Sequence, residues 1–485
     1  MLCVRSYLAA GGLVLLAACG AADPDAARLR VTVVGSPWAG GMATRLEAEA
    51  TQPTLIARDG TGALVPGLAS SWRFVDGEHS LILRLRPLQW SDKSQFGSNE
   101  VVAAFRRAAT RGDPALSHAG VAKGTTPTRL GVLAPIARVV EIRLVAASPL
   151  LLGWLADPGL AVTRTGPQPT LADYRATGPA TRRILTRRDG MASPAARPAR
   201  IVLATDVDAA RAVAGFARGD SDIVIGDGLA GLGEARTVAR PQMLRVDPLW
   251  GVYGYVANTL NGPLRDAKLR LALSLATDRA ALAARIGLTA MAPVEGLLPP
   301  GAAIAPAPAL DMTARRMLAQ QLLVSTAGQR APIRLTLLLP RGRDHRVIAE
   351  HVAADWAALG VTLAISEVDS ATIADKVRRG QFDLALTETS LAVPDAAALL
   401  SRWRCGAGPA CDAAADVLLD AARAAPPAMR PALLAAAEAK WMEGPPMVPL
   451  LTPLRWALVA RRVDGWTPNR AGSHPLGRLT VTAKR

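Results

Sequence analysis

Residues 199–225 read ARIVLATDVDAARAVAGFARGDSDIVI. The apolar run over about 200–204 predicts a strand. Asp206 or Asp208 offers a carboxylate to cap a helix, and Gly219 ends that helix. A second strand follows over 222–225. This is a strand–helix–strand unit, the building block of an α/β layer. The pattern returns about 130 residues later. IRLTLLLP (333–340) is a strand, and DHRVIAEHVAADWAALG (344–360) is a helix closed by Gly360. VTLAISEV (361–368), ATIADKVRRG (371–380) and FDLALTE (382–388) continue as strand, helix and strand. Two such units predict two α/β lobes.

The flanking segments fill in around them. LRVTVV (29–34) is a first strand that ends in the loop GSPWAGG (35–41). HSLILRLRPLQW (79–90) and RVVEIRLVA (138–146) alternate apolar and polar residues and read as strands. SNEVVAAFRRAAT (98–110) reads as a helix with Ser98 as N-cap and an apolar stripe of Val101, Val102, Phe105 and Ala109. Residues 112–135 are rich in Gly, Pro and Thr and read as loop. RLALSLATDRAALAARIG (270–287) is helical with a restart capped by Asp278, and MVPLLTPLRWALVARRVDGW (447–466) is mostly extended.

Bulk properties narrow the function. The chain has 485 residues, half of them apolar, so a large core is available. The net charge is +16, from 56 Lys plus Arg against 40 Asp plus Glu. No long basic block or aromatic–basic interleaving is present, so the charge reads as solvated surface and no nucleic-acid partner is expected. The densest cluster, RRILTRRD (182–189), suits an exposed strand face.

The N-terminus MLCVRSYLAAGGLVLLAACG has one early cation, Arg5, and an apolar run from Tyr7 to Ala18. That run is an export signal, too short to anchor as a membrane span. LAAC (16–19) resembles the lipobox of bacterial lipoproteins, which implies cleavage before Cys19, acylation of its thiol and a membrane tether over 19–27. An ordinary cleaved signal with a chance cysteine is the bland reading. Cys405 and Cys411 remain in RCGAGPACD (404–412). In an oxidising compartment they read as a small-loop disulfide; zinc lacks a second ligand pair nearby. No metal is expected.

IVIGDGLAGLGEAR (223–236) holds the glycine spacing of a dinucleotide turn at Gly226, Gly228 and Gly231, with Asp247 downstream. The strand before it closes a strand–helix–strand unit where a dinucleotide turn would open one. Only nine residues separate Gly231 from Pro241, too few for the usual crossover helix. The expectation is a tight strand-to-loop turn and no cofactor. The five histidines include His345 and His351 on one helix, but six residues apart they share no face as a zinc pair would. No nucleophile elbow, zincin motif or P-loop occurs, and nothing points to an enzyme beyond triads that spacing cannot reveal.

LVPGLASSWRFVDGEHSLILRLRPLQWSDKSQFGSNEVVAAFRRA (64–108) resembles the family 5 extracellular solute-binding proteins, the oligopeptide-, dipeptide- and nickel-binding components of ABC importers. Pro66-Gly67-Leu68-Ala69, Trp72, Trp90-Ser91-Asp92, Glu100-Val101 and Phe105 carry the likeness. ATGPA (176–180), FARGDSDIVIG (216–226) and YVANTLNGPLRDAKLRLALSLATDRAAL (255–282) continue it in order, with Asn258, Arg270, Ala272 and Asp278-Arg279 in place. EGLLPPG (295–301), RRMLAQQLL (315–323), residues 357–386 and VARRVDGWTPN (459–469) complete it.

The resemblance implies a two-lobe periplasmic-binding-protein fold, type II, of the large class with an extra subdomain. Residues 28–52, 160–250 and 455–485 would form the first lobe, 53–159 the subdomain and 251–454 the second lobe. Strands around Tyr253–Asn258 and Pro449–Leu458 would be the hinge crossings. The implied function is capture of a peptide or peptide-like solute by a monomer, for delivery to a membrane permease powered by an ATPase. A metal chelate, opine or sugar, an envelope sensing or chaperone-like role, and a periplasmic enzyme remain as alternatives. Peptide-binding relatives hold the free amine with an Asp four residues before a Pro. Pro394 places Ser390 there, with Glu388 two residues earlier as a substitute. Trp38, Tyr253, Tyr255, Trp403 and Arg404 are the other candidate wall residues; Tyr253 and Tyr255 share a strand face.

Overall fold

A computed structural model describes residues 28–35, 41–122, 130–164, 170–188, 197–238, 240, 242–302, 310–326, 333–408 and 410–482. Its first layer is a seven-stranded sheet. The order is Leu244–Pro248, Leu454–Val459, Ile223–Asp227, Arg28–Val34, Arg200–Val207, Arg182–Arg187 and Tyr174–Thr177. Arg28–Val34 runs parallel to both Arg200–Val207 and Ile223–Asp227. Alternation along these strands divides two cores. Leu29, Val31, Val33, Ile201, Leu203, Ile223 and Ile225 pack on one face, while Val224, Trp456 and Leu458 pack on the other.

The opening strand–helix–strand unit forms as read. Asp208 accepts from Arg211 N at 2.9 Å and caps the helix Ala209–Arg218, which Gly219 closes. The cap is therefore Asp208 and not Asp206, and the first strand runs on to Val207.

The second layer is a five-stranded sheet ordered Val361–Val368, Ile333–Pro340, Leu384–Ser390, Gly251–Ala257 and Met447–Leu451. The first three are parallel, and Gly251–Ala257 is antiparallel to both its neighbours. Arg343–Ala357 and Ser370–Arg378 are its connecting helices.

A smaller four-stranded antiparallel sheet, ordered Ala69–Val75, Ser80–Leu85, Val139–Arg143 and Val132–Ile136, packs against the helix Ser98–Thr110. Two expectations fail here. Residues 112–135 include the helix Pro114–His118 and a strand beginning at Val132, because Asp113 and Pro114 start a helix that composition alone hides. Ser98 is not the N-cap. It is the first helical residue and its hydroxyl donates to Ile136 O at 2.8 Å, while Gly97 N donates to Glu100 Oε2 at 2.7 Å.

The chain passes between the two large sheets twice. Leu249–Trp250 joins Leu244–Pro248 to Gly251–Ala257, and Thr452–Pro453 joins Met447–Leu451 to Leu454–Val459. The first passage lies upstream of the expected Tyr253–Asn258, whose strand is fully paired inside the second sheet. Leu249 N donates to Pro453 O at 3.0 Å and ties the two passages together.

Several residues that carried the family likeness act as structural clamps. Arg279 is fully buried; its guanidinium donates to the carbonyls of Pro449, Ser274 and Thr277 and lies 3.2 Å from Glu295. Arg270 donates to the carbonyls of Pro445, Leu264, Arg265 and Gly444. Asn258 Nδ2 donates to Gly380 O and Phe382 O. In the first sheet, Asp222 is held by Arg30 and Arg462 at 2.8–3.1 Å.

Candidate functional site

In an open parallel sheet, side-chain and backbone groups that meet a ligand cluster at the carboxyl ends of the strands. In the first sheet these ends lead to Gly35 and to the turn at Gly228. In the second they lead to residues 341–343, 369 and 391–395. The two sets of ends face one another. A Cβ placed on Gly228 would meet Glu388 Oε2 at 2.7 Å, so the glycine turn of one lobe lies directly against the second lobe's strand. Gly228 also holds φ +67°, a left-handed backbone that favours glycine. Nearby, a Cβ placed on Gly233 would lie 3.8 Å from Asp344 Oδ2, across the same divide.

The turn at Gly226–Gly231 therefore borders the cleft. Its glycines have packing reasons. A Cβ on Gly226 would lie 2.1 Å from Trp456 Cε2 and 2.3 Å from two further indole atoms. The following helix, Leu232–Val238, is two turns long. Asp247, the residue at ribose-binding distance in sequence, is buried. It accepts from Asn469 N at 2.9 Å and pairs with His474 Nε2 at 2.8 Å.

The remaining candidates divide. Trp38 and Cys19 lie outside the described residues. Tyr253 and Tyr255 share a face, but that face is core: they are 1% and 0% exposed. Tyr253 Oη is hydrogen-bonded to His345 Nδ1 at 2.9 Å, with the two rings parallel. Burial holds the His345 imidazole down at about 4, against the opposing charge of Glu367. Burial pushes the Tyr253 phenol well up, helped by Tyr255, Glu388 and Asp344. Trp403 is also buried in the second lobe's core. Arg404 is already engaged: its Nη2 donates to Asp420 Oδ2 at 2.7 Å. Cys405 and Cys411 are joined by a disulfide. Ser390 pairs with Gly251 at the mouth of the cleft, and Glu388 pairs with Tyr253.

Beyond Ser390 the loop is apolar. Val393 is buried in the small subdomain's core and meets Gly153. Asp395 caps the helix Ala396–Leu400 through Oδ1 and accepts from Trp154 Nε1 at 2.9 Å through Oδ2. His118 packs against the same Trp154 ring, tilted by 33° with 4.9 Å between centroids. Burial lowers the His118 pKa, Asp395 opposes this, and Arg423 adds to it. None of this interlobe cluster was picked out from the sequence, because Trp154 and Asp395 lie 241 residues apart.

Two cavities meet at Ala392. One, of about 250 Å³, lies between the first lobe and the small subdomain and is lined by Glu49, Arg58, Asp157 and Val393 among others. The other, of about 330 Å³, lies by the hinge and is lined by Trp250, Ala302, Pro394 and Arg470. Recesses that combine apolar walls with fixed polar groups suit solute binding. Among the described residues no group of three or more His, Cys, Asp or Glu is placed to hold a metal ion.

The pattern of bacterial extracellular solute-binding proteins, family 5, matches residues 63–410. The chain belongs to that family. It is 32% identical over 151 residues to the periplasmic murein peptide-binding protein MppA of Escherichia coli, covering 30% of this chain and 28% of that relative. It is 26% identical over 384 residues to the probable deoxycholate-binding periplasmic protein YgiS of the same species, covering 72% of this chain and 71% of the relative. The structure of the E. coli murein tripeptide-binding protein MppA superposes with a TM-score of 0.81 at 20% identity, covering 94% of this chain and 99% of that one. The two-lobe type II binding-protein fold is the common architecture, and this family 5 chain carries it in full.

Proposed function

We propose that this protein is the solute-binding component of an ABC importer, and that it captures a peptide or peptide-like solute between its lobes. The observation that carries the reading is the facing of two sets of parallel strand ends in a chain of this family, with two cavities beside the 392–394 loop that follows one of those strands. Closure would turn about Leu249–Trp250 and Thr452–Pro453, expel water and present the closed form to a permease. We read the first lobe as 28–52, 160–250 and 455–485, the subdomain as 53–159 and the second lobe as 251–454; the two large sheets support this division except at Leu454, which pairs in the first sheet. The N-terminal signal and an acylated Cys19 would export the chain and tether it to the envelope as a monomer. The relatives named for murein peptides support a peptide ligand.

A non-peptide solute is the second reading. Ser390 replaces the expected amine-binding carboxylate, the loop after it is apolar, and one relative is named for a bile acid. Mass spectrometry of solute released from the purified, unfolded protein decides between them. A set of peptides supports the first reading; a single sterol, opine, sugar or chelate removes it.

A further inference from the structure

RRILTRRD, the densest basic cluster of the sequence, supplies the strand Arg182–Arg187, second from the edge of the first lobe's sheet. Alternation sorts the residues of this sheet by face. Leu29, Leu185, Ile201 and Leu203 face the core under the helix Met42–Thr51. Arg183 turns the same way and pairs with Glu47 of that helix at 2.9 Å. Arg28, Arg30, Arg175, Arg182 and Arg200 are therefore on the opposite face. The registers align them. Arg175 pairs with Thr186, Thr186 with Arg200 and Arg200 with Arg28, a row across four strands. The next row ends at Arg30, and Arg182 stands in the third. At ~4.8 Å between strands, a row is about 14 Å wide. These rows hold five arginines and no Asp or Glu.

Arg30 is engaged by Asp222. Arg175, Arg182 and Arg200 are exposed, and their side chains make no hydrogen bond or ion pair among the described residues. Arg200 beside Arg28 sets like charges on neighbouring strands, a cost that a surface of opposite sign offsets. The row from Arg175 to Arg28 lies at the start of Arg28–Val34 and Arg200–Val207, the strand ends away from the cleft. Arg28 also follows Cys19, the proposed acylation site, by nine residues, a length that reaches at most about 30 Å when extended. A flat face of one sign of charge, rooted where the tether leaves, matches a bilayer with anionic headgroups. Such headgroups attract arginines within about one Debye length, ~10 Å at 0.1 M salt.

We propose that this face of the first lobe is a docking surface for anionic phospholipid headgroups, with Arg175, Arg182 and Arg200 making the contact and Arg28 and Arg30 adding charge beside them. It goes beyond solute capture and rests on the reading of the chain as exported and membrane-tethered. It fixes which face of the first lobe meets the membrane.

The test uses the mature chain, 19–485, carrying Cys19→Ser so that no acyl chain contributes. The probes are vesicles of phosphatidylcholine alone and vesicles with about one-third phosphatidylglycerol. Binding is read by co-sedimentation at ~0.05 M and ~0.5 M NaCl. The chain should bind the anionic vesicles, leave them at high salt and ignore the neutral ones. Each arginine at an anionic surface contributes about fivefold, so the triple variant Arg175→Gln, Arg182→Gln and Arg200→Gln should bind about 100-fold more weakly. The triple variant Arg175→Lys, Arg182→Lys and Arg200→Lys keeps the charge and should bind within about threefold of the wild type. A control triple, Arg265→Gln, Arg285→Gln and Arg334→Gln, removes the same charge from exposed positions of the second lobe and should leave binding unchanged. Far-UV dichroism should match the wild type in all three. If the control weakens binding as much as the first-lobe glutamines, net charge alone acts and the surface is overturned. Binding that is indifferent to the anionic lipid overturns it, and so does a chain that ignores vesicles but binds polyglutamate through the same arginines. If the native chain from cell envelopes carries no acyl group while the Cys19→Ser chain binds anionic vesicles through this face, the tether reading falls and the surface stands.

Discussion

Gly226 shows how one residue can be misread from spacing and resolved by contact. Its place in a G-x-G-x-x-G run invites a phosphate, yet the space a Cβ would need is filled by the rigid Trp456 indole. Gly226→Ala should therefore destabilise the fold by about 2–3 kcal/mol through overpacking. Trp456→Leu in the same chain should recover much of that loss, measured as urea midpoints for the single and double variants. A phosphate role would leave stability unchanged and show no such rescue. Asp222 is a second case. The sequence placed it in a family-like strand but could not name its partners, Arg30 and Arg462, which lie 192 and 240 residues away. Burial would raise its pKa; hydrogen bonds from Arg462 and then Arg30 reverse this and hold the carboxyl at about 2. The folded value is below the unfolded 3.8, so the stabilisation is present above pH 4 and fades as pH falls toward 2. Asp222→Asn should cost about 3 kcal/mol at pH 7, because it leaves two guanidiniums without their carboxylate.

Elements were legible where local chemistry decides them. The strand over 200–207, the Asp208 cap and the Gly219 stop are all written within 20 residues of one another. The strand Gly251–Ala257 was readable as a strand, but its place in the middle of a sheet was not, since its two neighbours come from 384–390 and 447–451. That placement buries Tyr253 and Tyr255, so aromatics that looked like cleft walls became core. It also seats His345, near the start of the helix Arg343–Ala357, against Tyr253. The imidazole is neutral in the fold, with a pKa of about 4 against 6.5 when free. Its contribution is full above pH 6.5 and is lost as pH falls toward 4, because the unfolded chain takes up the proton first. The loss amounts to about 2–3 kcal/mol at pH 4.5. His345→Gln should flatten this part of the profile: comparing urea midpoints at pH 7.5 and 4.5, the variant should lose less stability than the wild type by that amount. Equal declines would show that His345 is not the titrating group.

At the scale of the molecule, closure is the property on which function depends. The two lobes meet at the turn opposite Glu388, and the small subdomain meets the second lobe through Trp154 and Asp395. The second contact is the better lever. The indole N–H donates to a buried carboxylate that also caps a helix, and such a bond contributes about 1.5–3 kcal/mol. Trp154→Phe removes that donor and keeps a ring for His118 to pack against. Asp395 still caps Ala396–Leu400, so the second lobe should fold normally. If the contact favours the closed arrangement, small-angle scattering of the ligand-free variant should show a larger radius of gyration than the wild type. Solute affinity should then fall about 10- to 100-fold, mostly through faster release, since the bond forms after the solute has entered. A variant with wild-type scattering and affinity would mean that the contact forms equally in both arrangements and that the hinge at Leu249–Trp250 and Thr452–Pro453 sets the balance alone.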